Sequence, residues 1–348
     1  MTRSRLYLGM LCIGVFFMGN TQAWCNAAAS GSDQDNKQEP QIKNLGKVPN
    51  LADVKYGPHD RNVLDVYLAP NRDKPTPCVM HIHGGGWLGG DKTKFSIPGG
   101  PKAFLTEGIT VVSINYRYLK QTIVNTGSTR GNGAIQPRGN YPEPPVKTPL
   151  YDAARALQFV RSHAKQWNID PKRIAVTGGS AGACTSLWLA FHDDLADPQS
   201  PDPVARESTK PWCAATIGAQ TSLDPVEILE WMPNATYGGH AFGYVWDHSD
   251  HTVEIRSFLK DRESVKHWIA EYSPYALVTK DDPPVYLFYG DMPEKGKVQK
   301  DPTHSSNYGA LLVEKLERLG LDYEFVHKGI KQPRFKNTTE YLIQTLKK

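Results

Sequence analysis

The stretch RIAVTGGSAGACTSLWLAFH, residues 173–192, decides the fold. Arg173 to Gly178 is short and apolar, the composition of a buried strand. Ala181 to His192 is rich in alanine and leucine, the composition of a helix. Between them Gly178, Gly179, Ser180, Ala181 and Gly182 satisfy G-x-S-x-G in the strand–turn–helix context that this motif requires. A serine on so tight a turn crowds its neighbours, and glycine two positions before and two after relieves the crowding. Ser180 is thereby presented at the top of the sheet, beside a helix N-terminus whose N–H groups face a developing anion. A glycine-rich turn with an N-capping serine is the alternative, and the complete flanking pattern favours a nucleophile.

Outward from this turn, strands and helices alternate. NVLDVYLA (62–69) alternates apolar and polar as a half-buried strand does, and CVMHIH (78–83) and ITVVSINY (109–116) are short and β-rich. LYDAARALQFVRSHAKQW (150–167) carries Ala154, Leu157 and Val160 at helical spacing. Strands CAATIGA (213–219), PVYLFYG (284–290) and YEFV (323–326) follow, with helix NYGALLVEKLERLG (307–320) ending on Gly320 in the C-cap position. The expected class is α/β, a mostly parallel sheet covered by helices on both faces, with ligands beyond the carboxyl ends of its strands. Residues 119–149, rich in Gly, Pro, Asn and Arg, and residues 224–280, aromatic and irregular, break the alternation. Tyr237, Phe242, Tyr244 and Trp246 mark the second as a cap over the site.

A second motif, HIHGGGW (81–87), directly follows a strand. Consecutive glycines bring bare backbone N–H groups close to a substrate. With the Ala181 N–H, those of Gly84 and Gly85 would form an oxyanion hole, in which one donor is typically worth about 2.7–4 kcal/mol in the transition state. His81 and His83 share a strand face; they are candidate metal ligands or, as the better reading, orienters of the glycine loop.

These motifs, together with LDVYLAP, VVSINYRY and YSPYALVTKDDPPVYLFYGD, resemble α/β-hydrolase-fold serine esterases, in the hormone-sensitive-lipase-like and bacterial feruloyl/acetyl-esterase-like (BD-FAE-like) branch. The match runs from about Val54 to the C-terminus. The resemblance implies a Ser–acid–His triad in that chain order, ester hydrolysis without a cofactor, Ser180 as nucleophile, Gly84, Gly85 and Ala181 at the oxyanion hole, and structural roles for Tyr116 and Arg117. Two departures stand out. The acid position falls on Pro293, flanked by Asp291 and Glu294. The turn expected to carry the histidine, KGIKQPRF (328–335), carries none, and Gln332 and Phe335 cannot act as a base. His327, at the end of the last strand, and His304, in KDPTHSSN, are the two substitutes, and His304 has an alternative role at the start of the following helix beside Ser305 and Asn307.

The N-terminus joins Arg3 and Arg5 to an apolar run from Leu6 to Met18 and a small-x-small site ending at Ala23, the pattern of a cleaved export signal, with an uncleaved anchor as the alternative. Residues 24–45 are expected to form a disordered leader and residues 46–348 the hydrolase domain, in an exported, periplasmic or secreted protein. The net charge of +4 comes from scattered Lys and Arg, which argues against a nucleic-acid partner. Of the cysteines beyond the signal, Cys78, Cys184 and Cys213 are expected as buried free thiols, as is Cys25. His248 and His251 with Asp247 and Asp250 are a candidate metal set or a polar cap loop. Three readings follow: an exported serine ester hydrolase with a displaced histidine, acting on small acyl or carbohydrate-linked esters; a binding protein on a hydrolase scaffold; and a metal-dependent hydrolase using the cap histidines.

Overall fold

A computed structural model describes residues 44–70, 73–119, 138–244, 250 and 252–348. The expected signal and most of the leader lie outside the described residues, as do residues 120–137 of the first loop. In the cap the same holds for residues 245–249 and 251, and so for Trp246, Asp247, His248 and His251. The strands are β1 (Leu51–Lys55), β2 (Val63–Tyr67), β3 (Thr76–Ile82), β4 (Thr110–Ile114), β5 (Ile169–Gly179), β6 (Ala214–Ile217), β7 (Val285–Phe288) and β8 (Tyr323–Val326). They form one eight-stranded sheet in the order β1-β2-β4-β3-β5-β6-β7-β8. β2 runs antiparallel to β1 and β4, and every other neighbouring pair is parallel.

Helices cover both faces, because each inner strand buries both of its sides. On β3, Cys78, Met80 and Ile82 belong to the same buried cluster as Leu150 and Leu157 of α2 (Lys147–Ser162), Leu187 of α4 (Ala181–Phe191) and Leu312 of α8 (Asn307–Leu319). Val79, between them in sequence, packs with Phe104 and Leu105 of α1 (Gly100–Leu105) and with Leu342 and Leu346 of α9 (Thr338–Leu346). The side-chain period of two along a strand therefore sorts alternate residues into two separate cores. A short helix α3 (Ala164–Trp167) leads into β5. Gly320 ends α8 in the left-handed conformation, φ 70°, as expected of its C-cap position.

Two expectations change. β2 is buried on both sides rather than half-buried. Asp65, the polar residue that suggested a wet face, is covered and held: its Oδ1 lies 2.8 Å from the equally buried Lys92 Nζ, which also meets Asp53 at 3.0 Å. The cap is also more regular than its composition suggests. It contains α5 (Pro225–Trp231), a single helical turn at Gly239–Phe242, α6 (Thr252–Tyr272) and α7 (Pro274–Leu277). Val253, Phe258, Val265, Trp268, Ile269 and Tyr272 give α6 one buried stripe despite its charged length. Residues Asn44 to Lys348 form one compact unit. Cys78, Cys184 and Cys213 are buried free thiols, and Cys25 lies outside the described residues. Among the described residues no helix is long and apolar enough to cross a membrane.

Candidate active site

Ser180 sits between the end of β5 and the first residue of α4, with φ 53° and ψ −123°. A non-glycine residue holds such angles only where its surroundings enforce them. Here the Ser180 N–H donates to the Ile217 carbonyl at 3.0 Å, and its carbonyl accepts from Cys184 N at 2.9 Å. The flanking glycines are required by contact. A Cβ on Gly182 would stand 2.1 Å from the Ile82 carbonyl oxygen and 2.7 Å from that of His83; one on Gly178 would stand 2.4 Å from the Ile82 oxygen. Because these neighbours are backbone, they cannot turn aside. Gly182→Ala should therefore cost about 3 kcal/mol or prevent folding, whereas Gly290→Ala, with open space around it, should leave the melting temperature within about 2 °C of wild type. Thermal unfolding of the two variants checks the contrast.

The glycine loop is tied down carbonyl by carbonyl. The Gly84 oxygen lies 2.8 Å from His83 Nδ1 and 3.4 Å from the Tyr116 hydroxyl, which also donates to the His83 oxygen at 2.8 Å. The Gly85 oxygen accepts from Leu88 N and Gly89 N at 2.9 and 3.1 Å. Among the described residues neither the Gly85 nor the Ala181 N–H has a protein acceptor. His83 stacks on Tyr116, ring centroids 4.2 Å apart, with Nε2 3.3 Å from Arg61. Burial pushes its pKa down to about 4. His81 is fully buried between Ser113 Oγ (3.0 Å) and Ser96 Oγ (3.1 Å), and burial pushes its pKa down to about 3. Both imidazoles thus orient the loop and its surroundings. Among the described residues no cluster of three or more His, Cys, Asp or Glu could hold a metal ion; the cap set His248, His251 and Asp247 lies outside them.

His304 Nε2 lies 3.1 Å from Ser180 Oγ, and its Nδ1 lies 2.8 Å from Asp301 Oδ2. Asp301 and His304 share one turn just before α8. Asp301 Oδ1 accepts the backbone N–H groups of Thr303 (3.1 Å) and His304 (3.2 Å), so one carboxylate shapes the turn and aims the ring. Partial burial works against the Asp301 carboxylate, but the His304 ring and these N–H groups outweigh it and hold its pKa below the usual range. Gln220 steadies the turn, donating to the Thr303 carbonyl at 2.6 Å. Gly218, φ 59°, makes room: a Cβ there would stand 3.3–3.4 Å from the His304 side chain. Ser305 and Asn307 start α8 without His304, through the Asn307 N–H to Ser305 Oγ bond at 3.2 Å.

The other expected site residues have different partners. Asp291, expected as the acid, lines the cleft but accepts the Ser306 N–H at 2.9 Å. Glu294 is exposed and pairs with Lys297 at 3.1 Å. His327, the other expected base, is outside the cleft lining; its Nδ1 accepts the Gly329 N–H at 3.1 Å, and its ring packs 4.8 Å from Phe325. Burial lowers its pKa, opposed by Asp291. The turn beyond is occupied by packing, with Phe335 buried edge-on against Tyr341 at 5.2 Å. Sequence reading passed over Asp301. The available signal was Asp-x-x-His, the spacing at which a turn-capping carboxylate reaches the histidine ring.

Ser180, His304 and Asp301 open into a cleft of about 600 Å³ whose walls include Ile217, Phe288, Tyr289, Ser96 and Lys300. A hydroxyl, an imidazole nitrogen and a carboxylate in this order can move a proton off the serine, and nearby unpaired N–H groups can hold an oxyanion.

The BD-FAE family model matches residues 64–127 and 143–302. A probable isoprenylcysteine α-carbonyl methylesterase of Arabidopsis thaliana is 24% identical over 275 residues, 77% of this chain and 47% of its own. A probable carboxylic ester hydrolase of Mycobacterium tuberculosis is 33% identical over 172 residues, 48% of this chain and 34% of its own. The chain spans about half the length of the first of these relatives and a third of the second. A truncated carbohydrate esterase from gut microbiota superposes with a TM-score of 0.58 at 20% identity, covering 86% of this chain and 96% of that one. An acetyl ester-xyloside bifunctional hydrolase from Caldicellulosiruptor lactoaceticus gives 0.53 at 20% identity, covering 81% and 86%. At such identities the structures speak for the fold, and the family match speaks for descent: the chain belongs to the BD-FAE family, in the esterase branch of the α/β-hydrolase fold.

Proposed function

We propose that this protein is an exported serine hydrolase that cleaves carboxylic esters through an acyl-Ser180 intermediate. The 3.1 Å approach of His304 Nε2 to Ser180 Oγ carries the reading. His304 takes the hydroxyl proton as Oγ attacks the ester carbonyl, and Asp301 holds the imidazole with Nε2 free to accept and balances the imidazolium that forms. The N–H groups of Gly85 and Ala181, with the Gly84 segment beside them, receive the oxyanion. Collapse expels the alcohol, which takes its proton from His304. Water, deprotonated by the same ring, then attacks the acyl-enzyme and returns Ser180 and the free acid. No cofactor enters these steps. Small acyl or carbohydrate-linked esters suit the cleft, and a carbohydrate esterase and an acetyl ester-xyloside hydrolase are among the structural neighbours. Export rests on the N-terminal pattern alone.

The competing view, a binding protein without turnover, drew its force from the missing histidine in the last turn, and His304 removes that motive. A fluorophosphonate tests the proposal. It should add a single adduct at Ser180, identified by peptide mass, and abolish p-nitrophenyl acetate hydrolysis in the same proportion. Full labelling with unchanged hydrolysis, or hydrolysis with no labelling, would sink the acyl-serine mechanism.

A further inference from the structure

Three consecutive glycines cannot hold their own shape. Gly85 and Gly86 have φ 109° and 59°, and neither has a side chain to lock it. The Gly84 and Gly85 carbonyls are fastened by residues of the hydrolase body, as described above. The Gly86 carbonyl is fastened from the cap: His240 Nε2 lies 3.2 Å from it. His240 is itself completely buried and held by Glu254, whose Oε1 accepts from His240 Nδ1 at 2.9 Å, from His240 N at 2.7 Å and from Gly238 N at 3.1 Å. Glu254 stands in the first turn of α6 and is 1% exposed. The Tyr237 ring packs on His240 with centroids 4.4 Å apart. Burying such a pair costs desolvation that its hydrogen bonds must offset, so it is poor evidence of stability in itself.

We infer that His240, held by Glu254, is a positioning residue through which the cap sets the oxyanion loop. The inference rests on the reading of Gly85 and Ala181 as oxyanion donors. A carbonyl oxygen only accepts, so the contact to Gly86 is an N–H donation from Nε2; with Nδ1 donating to Glu254 as well, the ring holds both protons and the carboxylate balances its charge. It fixes the peptide plane after Gly86 and, through it, the direction of the N–H groups before it. Displacing a donor by about 1 Å can cost about a hundredfold in rate, and the loss falls on the transition state rather than on ground-state binding. The cap is then part of the catalytic assembly as well as a wall of the cleft.

Glutamine and asparagine separate the two bonds of His240. The amide nitrogen of glutamine reaches the position of Nε2 and keeps a donor to Gly86, and that of asparagine reaches the position of Nδ1 and keeps only the bond to Glu254. The test measures kcat and KM for p-nitrophenyl acetate and inhibition by butylboronic acid, whose serine adduct is a tetrahedral anion with a boron-bound oxygen in the oxyanion position. His240→Gln should keep kcat within about threefold, while His240→Asn and His240→Ala should lower it about 30- to 100-fold. In the last two KM should move less than about threefold, and boronate affinity should fall in step with kcat. Circular dichroism checks that each variant is folded, and Glu254→Gln offers a second route to the same signature. If asparagine preserves activity better than glutamine, or if KM alone rises, the positioning role is wrong. If boronate binds the wild type and all variants alike, the oxyanion reading stands and the cap has no part in it. If boronate does not compete with substrate on the wild type at all, the oxyanion reading itself falls, and this inference with it.

Discussion

Replacing His304 by alanine should lower kcat/KM for p-nitrophenyl acetate by at least about 10⁴-fold, roughly 5.5 kcal/mol of transition-state stabilisation, while His327→Ala should stay within about twofold of wild type. The size follows from what is lost. Without a base, a serine hydroxyl near neutral pH is a weak nucleophile, and the remaining oxyanion donors and binding contacts account for only the residual rate. The asymmetry follows from position. His304 stands 3.1 Å from Ser180 Oγ, whereas His327 accepts a bond from Gly329 and packs on Phe325. Ser180→Ala should fall as far as His304→Ala, and the double variant no further, because the two act as one unit. Equal losses at His304 and His327, or a larger one at His327, would overturn the assignment of the base.

The parts of the site that a reader could take from the sequence are those fixed by local sterics. The Ser180 turn needs glycine at 178 and 182 because the Ile82 carbonyl lies against both, and the HGGG run needs small residues where the backbone approaches Ser180. Such constraints leave a spacing in the chain. The proposed base leaves no such mark. His304 is 124 residues from Ser180 and reaches it only because β7 is laid beside β6 and the turn before α8 folds over Gly218. The sequence narrows the choice to two histidines on the correct edge of the sheet, and the fold separates them. Burial is hidden in the sequence for a related reason. Asp65 reads as a wet face until Lys92, 27 residues away, is seen to cover and pair with it. In the cap, charged residues along α6 mask a stripe from Val253 to Tyr272 that is regular once its neighbours are in place.

Asp301→Asn and Asp291→Asn should part widely, and in the direction opposite to the expectation of Asp291 as the acid. Asp301 Oδ2 faces His304 Nδ1 at 2.8 Å and can only accept, so it keeps the proton on Nδ1 and leaves Nε2 open toward Ser180. An asparagine can turn its amide nitrogen to that ring atom, favouring the tautomer in which Nε2 carries the proton and cannot take another. In a buried triad this exchange costs about 10⁴-fold in kcat. The Asp301 side chain is 62% exposed, so water screens its charge and competes for the ring. We therefore expect a loss of about 10²- to 10³-fold, with KM little changed. Asp291 offers Ser306 N–H a single acceptor, which an asparagine oxygen also supplies, so Asp291→Asn should cost less than about tenfold. Because the interactions at Asp301 hold its pKa below the ordinary carboxylate range, it is ionised throughout about pH 5 to 9, and the contrast should persist at every pH in that interval. Steady-state kinetics of the two variants across this range decides between the carboxylates: a larger loss at position 291 would make Asp291 the acid and reduce Asp301 to the residue that shapes the turn.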